Sequence, residues 1–484
     1  MSNIPVQNRE DRPYAITAGG GCSGKVARQF QKRCLKNAER TFAQATQCQQ
    51  LNSIQAFISM EDAVFIIHAP SGCTGCISFM NDLFKVGQHH RGIDHIKNAR
   101  YIVTNFDETD IILGGEKKLQ EAVLAAEERY HPSLIFIFTS CASAIIGDDV
   151  DTLAVNLQSQ VKAKIVPIHC EGFKSKVPAT GFDSAFHSIT RYVLKDWHPP
   201  KEKGLINVFA PMAIGWKDQQ EIEGMLAVLG YHVNYIPFYA SLEKIKKIAA
   251  AEYSTSICQV FADEFMIYLQ QEYDMPYSRP GMPLGIRNTD RWFMGVARMV
   301  GKEAIAEQYL AEQHQKILPQ IAAIRERIQG KKVFICAGTA RSFAAATLIE
   351  DFGLQLVGME TPTFEEALVE DLERLIQIHG DDFLVDVANM QPFEQANLVN
   401  RLKPDLFIGM STWVAKQGVT STHVLEVKRP TMGYDGLLYL GKKIENAIEN
   451  PSFTVKLSNH KRLPYQENWY HQSPFKYFKE AGEV

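Results

Sequence analysis

The stretch Leu134-Ile135-Phe136-Ile137-Phe138-Thr139-Ser140-Cys141-Ala142-Ser143-Ala144-Ile145-Ile146-Gly147 decides the fold. Its first six residues are apolar or β-branched without alternation, which marks a strand buried on both faces. The remainder reads as a turn into a helix, with a cysteine where strand gives way to helix. Similar runs recur on both sides: Asp62 to His68, Lys164 to His169, Leu205 to Ala210, Ser256 to Phe261, Lys332 to Ala337, Asp382 to Val387 and Asp405 to Gly409. Helical stretches lie between them, so the chain is α/β with parallel sheets.

Two polar breaks divide it, Trp197-His198-Pro199-Pro200-Lys201-Glu202-Lys203-Gly204 and Gln329-Gly330-Lys331-Lys332. Three doubly wound, Rossmann-like units are expected, about 40–198, 204–328 and 331–450, with extensions 1–39 and 451–484. The composition agrees: 484 residues, 45% hydrophobic and 22% charged, with a formal net charge of -4. That balance offers no general attraction for nucleic acid or an anionic membrane. No apolar run reaches the about 18 residues of a spanning helix, and the N-terminus lacks the pattern of a secretory signal. A cytoplasmic protein is expected.

Nine cysteines, widely spaced and odd in number, do not form a disulfide framework in such a chain. In open α/β sheets ligands gather beyond the carboxyl ends of the strands, and Cys73, Cys141 and Cys170 sit there. Glycine-flanked loop cysteines suit an iron–sulfur cluster, because backbone N–H groups can approach the sulfides.

Other motifs carry less. Gly19-Gly20-Gly21-Cys22-Ser23-Gly24-Lys25-Val26 imitates a phosphate-binding loop, but Val26 replaces the required Ser or Thr and no strand precedes it. It reads as a flexible N-terminal segment. Cys73 and Cys76 form C-x-x-C with no second pair to complete a zinc site. Gln88-His89-His90-Arg91 reads as a solvated polar loop, and the aromatic and basic stretch from Lys456 to Lys479 as a subunit-docking tail.

Cys48, Cys73 and Cys141, 25 and then 68 positions apart, stand with the words Ala69-Pro70-Ser71-Gly72-Cys73 and Thr139-Ser140-Cys141. Together they resemble the α-subunit of nitrogenase component 1. The resemblance runs over residues 40 to 450 and implies that these cysteines hold half of a P-cluster shared with a homologous β-subunit, in an α2β2 assembly. It further implies that Cys258 and His423 hold the two ends of an iron–sulfur cofactor between the units, and that Arg341 reaches the cofactor sulfides. The word His169-Cys170-Glu171-Gly172-Phe173-Lys174 is similar to the family's Cys-Glu-Gly-Phe-Arg segment. Cys22, Cys34, Cys76, Cys170 and Cys336 are left as small core residues.

The departures refine this expectation. Pro178 and Phe182 stand where the nitrogenases have a glutamine and a histidine, and neither can relay a proton. Ser411 replaces a lysine that pairs with homocitrate, which points to a simpler all-iron cofactor whose homocitrate has lost its anchor. These features resemble the nitrogenase-like methylthio-alkane reductases. The implied activity is reductive cleavage of carbon–sulfur bonds in dimethyl sulfide or 2-methylthioethanol, giving methanethiol and an alkane or alkene, with electrons from an ATP-dependent iron–sulfur reductase homodimer. Pro178 and Phe182 would line the pocket, and His89, His90 and His187 are the candidate proton donors. The alternatives are a scaffold for cofactor maturation and the α-subunit of an alternative nitrogenase.

Overall fold

The computed structural model describes residues 6–41, 48–75, 77–210, 215–389, 391–409, 413–459, 463 and 465–479. The deciding stretch forms strand Leu134–Thr139, buried throughout, then helix Cys141–Ile146. Its side chains alternate between two cores. Phe136 and Phe138 join Phe57, Phe65 and Phe186 on one face, while Ile135 and Ile137 meet Leu119 and Val123 on the other. The Phe57 and Phe136 rings stack at 4.8 Å.

Three parallel sheets follow from such strands. The first has the spatial order Tyr101–Val103, Ala63–His68, Leu134–Thr139, Lys164–Ile168. The second runs Tyr277–Ser278, Tyr253–Ser256, Leu205–Phe209, His232–Ile236. In the third, Lys332–Cys336 is central, with Gln355–Thr361 and Leu384–Val387 on one side and Leu406–Gly409 and Thr420–Thr422 on the other. The chain therefore leaves the central strand in both directions, which makes its carboxyl end a topological switch point. Among the described residues no helix is long and apolar enough to cross a membrane.

Both chain ends correct the sequence reading. Gly19–Cys22 is not flexible: it is an antiparallel edge strand of the third sheet, pairing Gly19 with Val387 and Cys22 with Leu384, and helix Ser23–Gln31 follows it. Its glycines serve packing, since a Cβ on Gly20 would lie 2.3 Å from the Phe475 ring. At the other end, Trp469 and Tyr470 are buried within the chain. The indole of Trp469 donates to the Phe393 carbonyl at 2.7 Å and its ring lies 5.5 Å from that of Tyr477. Those two rings pack inside the chain, while Phe453 and Tyr477 of the same tail stay exposed.

Candidate metal centres

Cys48, Cys73 and Cys141 come together at one end of the first sheet. Cys48 occupies the N-cap of helix Gln49–Phe57, and no side-chain cap bond engages its thiol. Cys141 opens helix Cys141–Ile146, whose Ser140 and Ser143 cap each other reciprocally. Cys73 lies in the short turn Ser71–Thr74 past strand Ala63–His68. Two of the thiols thus sit at helix N-termini. Gly172 fits between them: a Cβ there would lie 3.0 Å from Cys48 Cβ and 3.5 Å from Cys141 Sγ. Burial pushes the Cys73 thiol up, and neighbouring Cys48 and Cys141 push it further.

This end of the molecule faces outward. Cys48 and Cys73 are exposed and Cys141 partly so. Around them Ile112 and Leu113 are each 78% exposed, Ile145 76% and Phe173 58%. Helix Glu108–Leu113 packs on helix Cys141–Ile146, and Phe173 directly follows Gly172, so cysteines and apolar side chains share one surface. Among the described residues no three His, Cys, Asp or Glu side chains converge on a single metal ion.

The second candidate site draws its residues from different units. Sequence reading puts Cys258 on a strand, but the strand ends at Ser256 and Cys258 stands in the turn beyond it. Ser256 causes the break. Its Oγ accepts from the Cys258 N–H at 3.1 Å and lies 2.8 Å and 3.0 Å from the Cys258 and Phe261 carbonyls, so the backbone closes on it instead of continuing the ladder. Burial pushes the Cys258 thiol up to about 11, against the Val260 N–H and the charges of Arg9 and Arg341.

Arg341 belongs to the third unit, in the first turn of helix Thr339–Asp351 at the switch point. Gly338 caps that helix at φ +93°, a conformation glycine adopts freely. The guanidinium donates to the Val424 carbonyl at 3.1 Å. Burial lowers its pKa, while the nearby charges of Asp218 and Cys258 act in the opposite sense. Val424 follows His423, which leaves edge strand Thr420–Thr422, so Arg341 connects the cysteine side of the space to the histidine side. Burial and then Lys443 lower the His423 pKa, keeping the imidazole neutral and able to bind a metal. The Lys443 ammonium lies 3.1 Å from the His423 carbonyl and 3.2 Å from Glu426.

The first unit supplies apolar groups. Pro178 is buried ahead of helix Thr180–Ile189. The Phe182 ring meets Phe261 edge-on at 5.0 Å, just past Cys258. Ser411 and Cys76 lie outside the described residues.

Other sequence expectations change. His89 and His90 end helix Ile77–His90 and do not form a loop. Arg91 after them packs 3.7 Å from the centre of the Tyr239 ring and donates to Gln219 at 2.6 Å. Cys22 and Cys34 are exposed thiols, not core residues, whereas Cys170 is buried and donates to the Thr139 carbonyl at 3.4 Å. One group escaped sequence reasoning: a 370 Å³ cavity is lined by Asp151, His169, Glu171, Lys174, His187 and Arg191. Hydrogen bonds to Asp151 and Glu171 push His169 up to about 9, so it is an imidazolium at neutral pH. The word His169 to Lys174 and the candidate donor His187 were its separate signals in the sequence.

The sequence model of nitrogenase component 1 type oxidoreductases matches residues 48–449. The chain belongs to that family. Similar proteins of the family include the nitrogenase iron-molybdenum cofactor biosynthesis protein NifE of Rippkaea orientalis, 24% identical over 87% of this chain and 88% of the relative. NifE of Methanosarcina barkeri is 26% identical, covering 81% and 85%. The nitrogenase molybdenum-iron protein alpha chain of Methanosarcina barkeri is 23% identical, covering 82% and 84%. The solved structure of nitrogenase Cp1 at pH 5 superposes with a TM-score of 0.72 at 21% identity, covering 87% of this chain and 92% of that one. The mixed α/β architecture with parallel sheets is thus that of a nitrogenase component 1 type subunit.

Proposed function

We propose that this chain is the α-type subunit of a two-subunit nitrogenase-like complex, holding half of an iron–sulfur cluster at the subunit interface and anchoring a second between its three units. One observation carries this reading: Cys48, Cys73 and Cys141 are gathered on an exposed surface ringed by apolar side chains. A ligand set open to solvent calls for a second chain to close it, in an α2β2 complex served by an ATP-dependent iron–sulfur reductase. The donors fit the task, since thiolates suit cluster iron and neutral imidazole a terminal metal. Iron–sulfur clusters bound there would supply low-potential electrons for reduction.

Each residue then has a role. Cys258 and His423 anchor from opposite units, and the Arg341 guanidinium stabilises negative charge between them. Phe182 on Phe261, with Pro178, presents an apolar wall without a proton donor. That wall suits a small apolar substrate and supports reductive cleavage of a methylthio-alkane carbon–sulfur bond to methanethiol and an alkane or alkene. The loss of the lysine at Ser411 supports an all-iron cofactor.

A second reading is a scaffold on which the cofactor of another enzyme matures. Relatedness supports it better than catalysis, since two of the three relatives described above are cofactor biosynthesis proteins. An anaerobic assay separates the two. The chain is purified with its partner subunit and given the reductase, ATP and dimethyl sulfide or 2-methylthioethanol. Methanethiol release supports the reductase; no methanethiol, with cluster passing to an apo-acceptor, supports the scaffold. Under either use Cys258→Ala should lose the buried cluster and keep the interface one, which iron analysis and electron paramagnetic resonance would register. Unchanged cluster content would remove Cys258 from the site.

A further inference from the structure

Arg9 is 1% exposed, although sequence reading places it in an extension outside the three units. Its guanidinium touches one carboxylate from each unit. It bonds Asp183 twice at 2.8 Å and reaches Asp263 and Glu365 at 3.4 Å. Arg12 repeats the pattern, with Asp183 at 3.0 Å, Asp263 at 2.9 Å, Glu264 at 2.9 Å and Glu365 at 3.5 Å. Arg279 adds a contact to Asp263 at 3.3 Å.

The three carboxylates stand on the elements that wall the second centre. Asp183 follows Phe182 on helix Thr180–Ile189, Asp263 opens the helix that follows the Cys258 turn, and Glu365 lies past strand Gln355–Thr361. The rest of the hold on residues 6–12 is also polar. Asn8 donates to the Lys174 carbonyl at 2.8 Å, the Arg9 N–H donates to Thr180 Oγ1 at 3.2 Å, and Ser175 donates to Glu10 at 2.7 Å.

Cys258 and Arg341 are only 8% and 7% exposed, so no body the size of a cluster reaches them while these walls are closed. Some wall has to move for loading. The sheets and helices around the space are joined by continuous apolar core, and parting them exposes that core to water. Residues 6–12 touch all three units yet bury little apolar surface.

We propose that residues 6–12 are a releasable clasp that closes the space between the three units over Cys258 and lifts to admit or discharge an iron–sulfur cluster. Seated, Arg9 and Arg12 neutralise Asp183, Asp263 and Glu365 where they converge. Lifted, the segment leaves Asp183, Asp263 and Glu365, with Glu264 beside them, facing one another with Arg279 as the remaining contact among the described residues, and their repulsion holds the gap open where the clasp lay without parting the apolar core. The proposal rests on Cys258 being a cluster anchor, but its test does not use the cluster.

The test uses the cluster-free, full-length chain bound to its partner subunit. Alkylation of Cys258 by iodoacetamide, followed by mass spectrometry of its peptide, should run at least ten-fold faster in Arg9→Met/Arg12→Met than in wild type. Adding Asp183→Asn and Glu365→Gln should slow it again by removing the repulsion. A folded double variant with the wild-type rate overturns the clasp. Should that variant not fold, hydrogen exchange of the wild type decides. Residues 6–12 and the starts of helices 180–189 and 263–273 should open together, and protected helix starts beside an exchanging segment would refute the idea. Loss of cluster in Cys258→Ala reports on the anchor alone, so the two ideas fail separately.

Discussion

Glu360, Asp386 and Glu394 are buried side by side in the third unit. Neighbouring strands align Cys336 with Glu360 and Glu360 with Asp386, so their side chains share one face of the sheet. Arg40 meets Glu394 with two bonds of 3.0 Å and stands 3.5 Å from Asp386. One guanidinium does not balance three carboxylates. Burial, helped by the charge of Glu394, pushes Glu360 up to about 8, even though Gln395 donates to it at 2.7 Å. Asp386 moves in the same direction. The folded chain therefore keeps a proton on Glu360 that the unfolded chain releases near the ordinary value of 4.5. The stability from that proton is full below 4.5 and is lost as pH rises through about 8. Glu360→Gln should accordingly be more stable than wild type at pH 8.5 by at least about 1.4 kcal/mol, the worth of one pKa unit, and its melting temperature should vary less with pH. Parallel melting curves across pH 5 to about 9 would show that this carboxyl carries no such proton.

Helices Gln49–Phe57 and Thr180–Ile189 link the two centres, because Cys48 caps the first and Phe182 and Asp183 lie on the second. They touch through Gly181, where a Cβ would stand 2.1 Å from the Gln49 carbonyl. Gly181→Ala should force the helices apart at a cost of about 1–3 kcal/mol, seen in denaturant unfolding, and should weaken iron retention at both centres. A variant of wild-type stability would mean that the contact is slack. This seam also marks the limit of what sequence reveals. The strand Leu134–Thr139 was legible because burial on both faces leaves an unbroken apolar run. His232–Ile236 and Gln355–Thr361 were missed, since Asn234 and Gly358 interrupt the pattern. Gly19–Cys22 has no strand character of its own and is ordered by the edge it joins. Cys48, Cys73, Cys141, Cys258 and His423 were legible as candidate ligands through local words and order along the chain. Arg9 was not, because its partner Asp183 lies 174 positions away and no local pattern predicts such a pairing.

At the scale of the whole molecule, the exposed apolar side chains and the open cysteines are one feature. Monomeric proteins rarely leave a contiguous apolar patch uncovered without a use for it. Here the patch adjoins three thiols that, on the proposed reading, need a second chain to complete their ligand set. Ile145 and Phe173 are the informative positions, one on the helix that Cys141 opens and one beside the Gly172 that touches Cys48 and Cys141. Both point outward, so replacing them should alter the isolated chain by no more than about 0.5 kcal/mol. In the assembled complex each would place an unpaired charge in an apolar interface, at a cost that discourages association. Ile145→Asp/Phe173→Asp should therefore melt like wild type as a single chain, yet co-purify with at least ten-fold less partner subunit. It should lose the iron of the interface centre and keep the site at Cys258. Light scattering after size exclusion, with iron counted per chain, measures both. If the double variant retained its partner and its full iron, the surface around Cys48, Cys73 and Cys141 would not be where the second subunit closes the cluster.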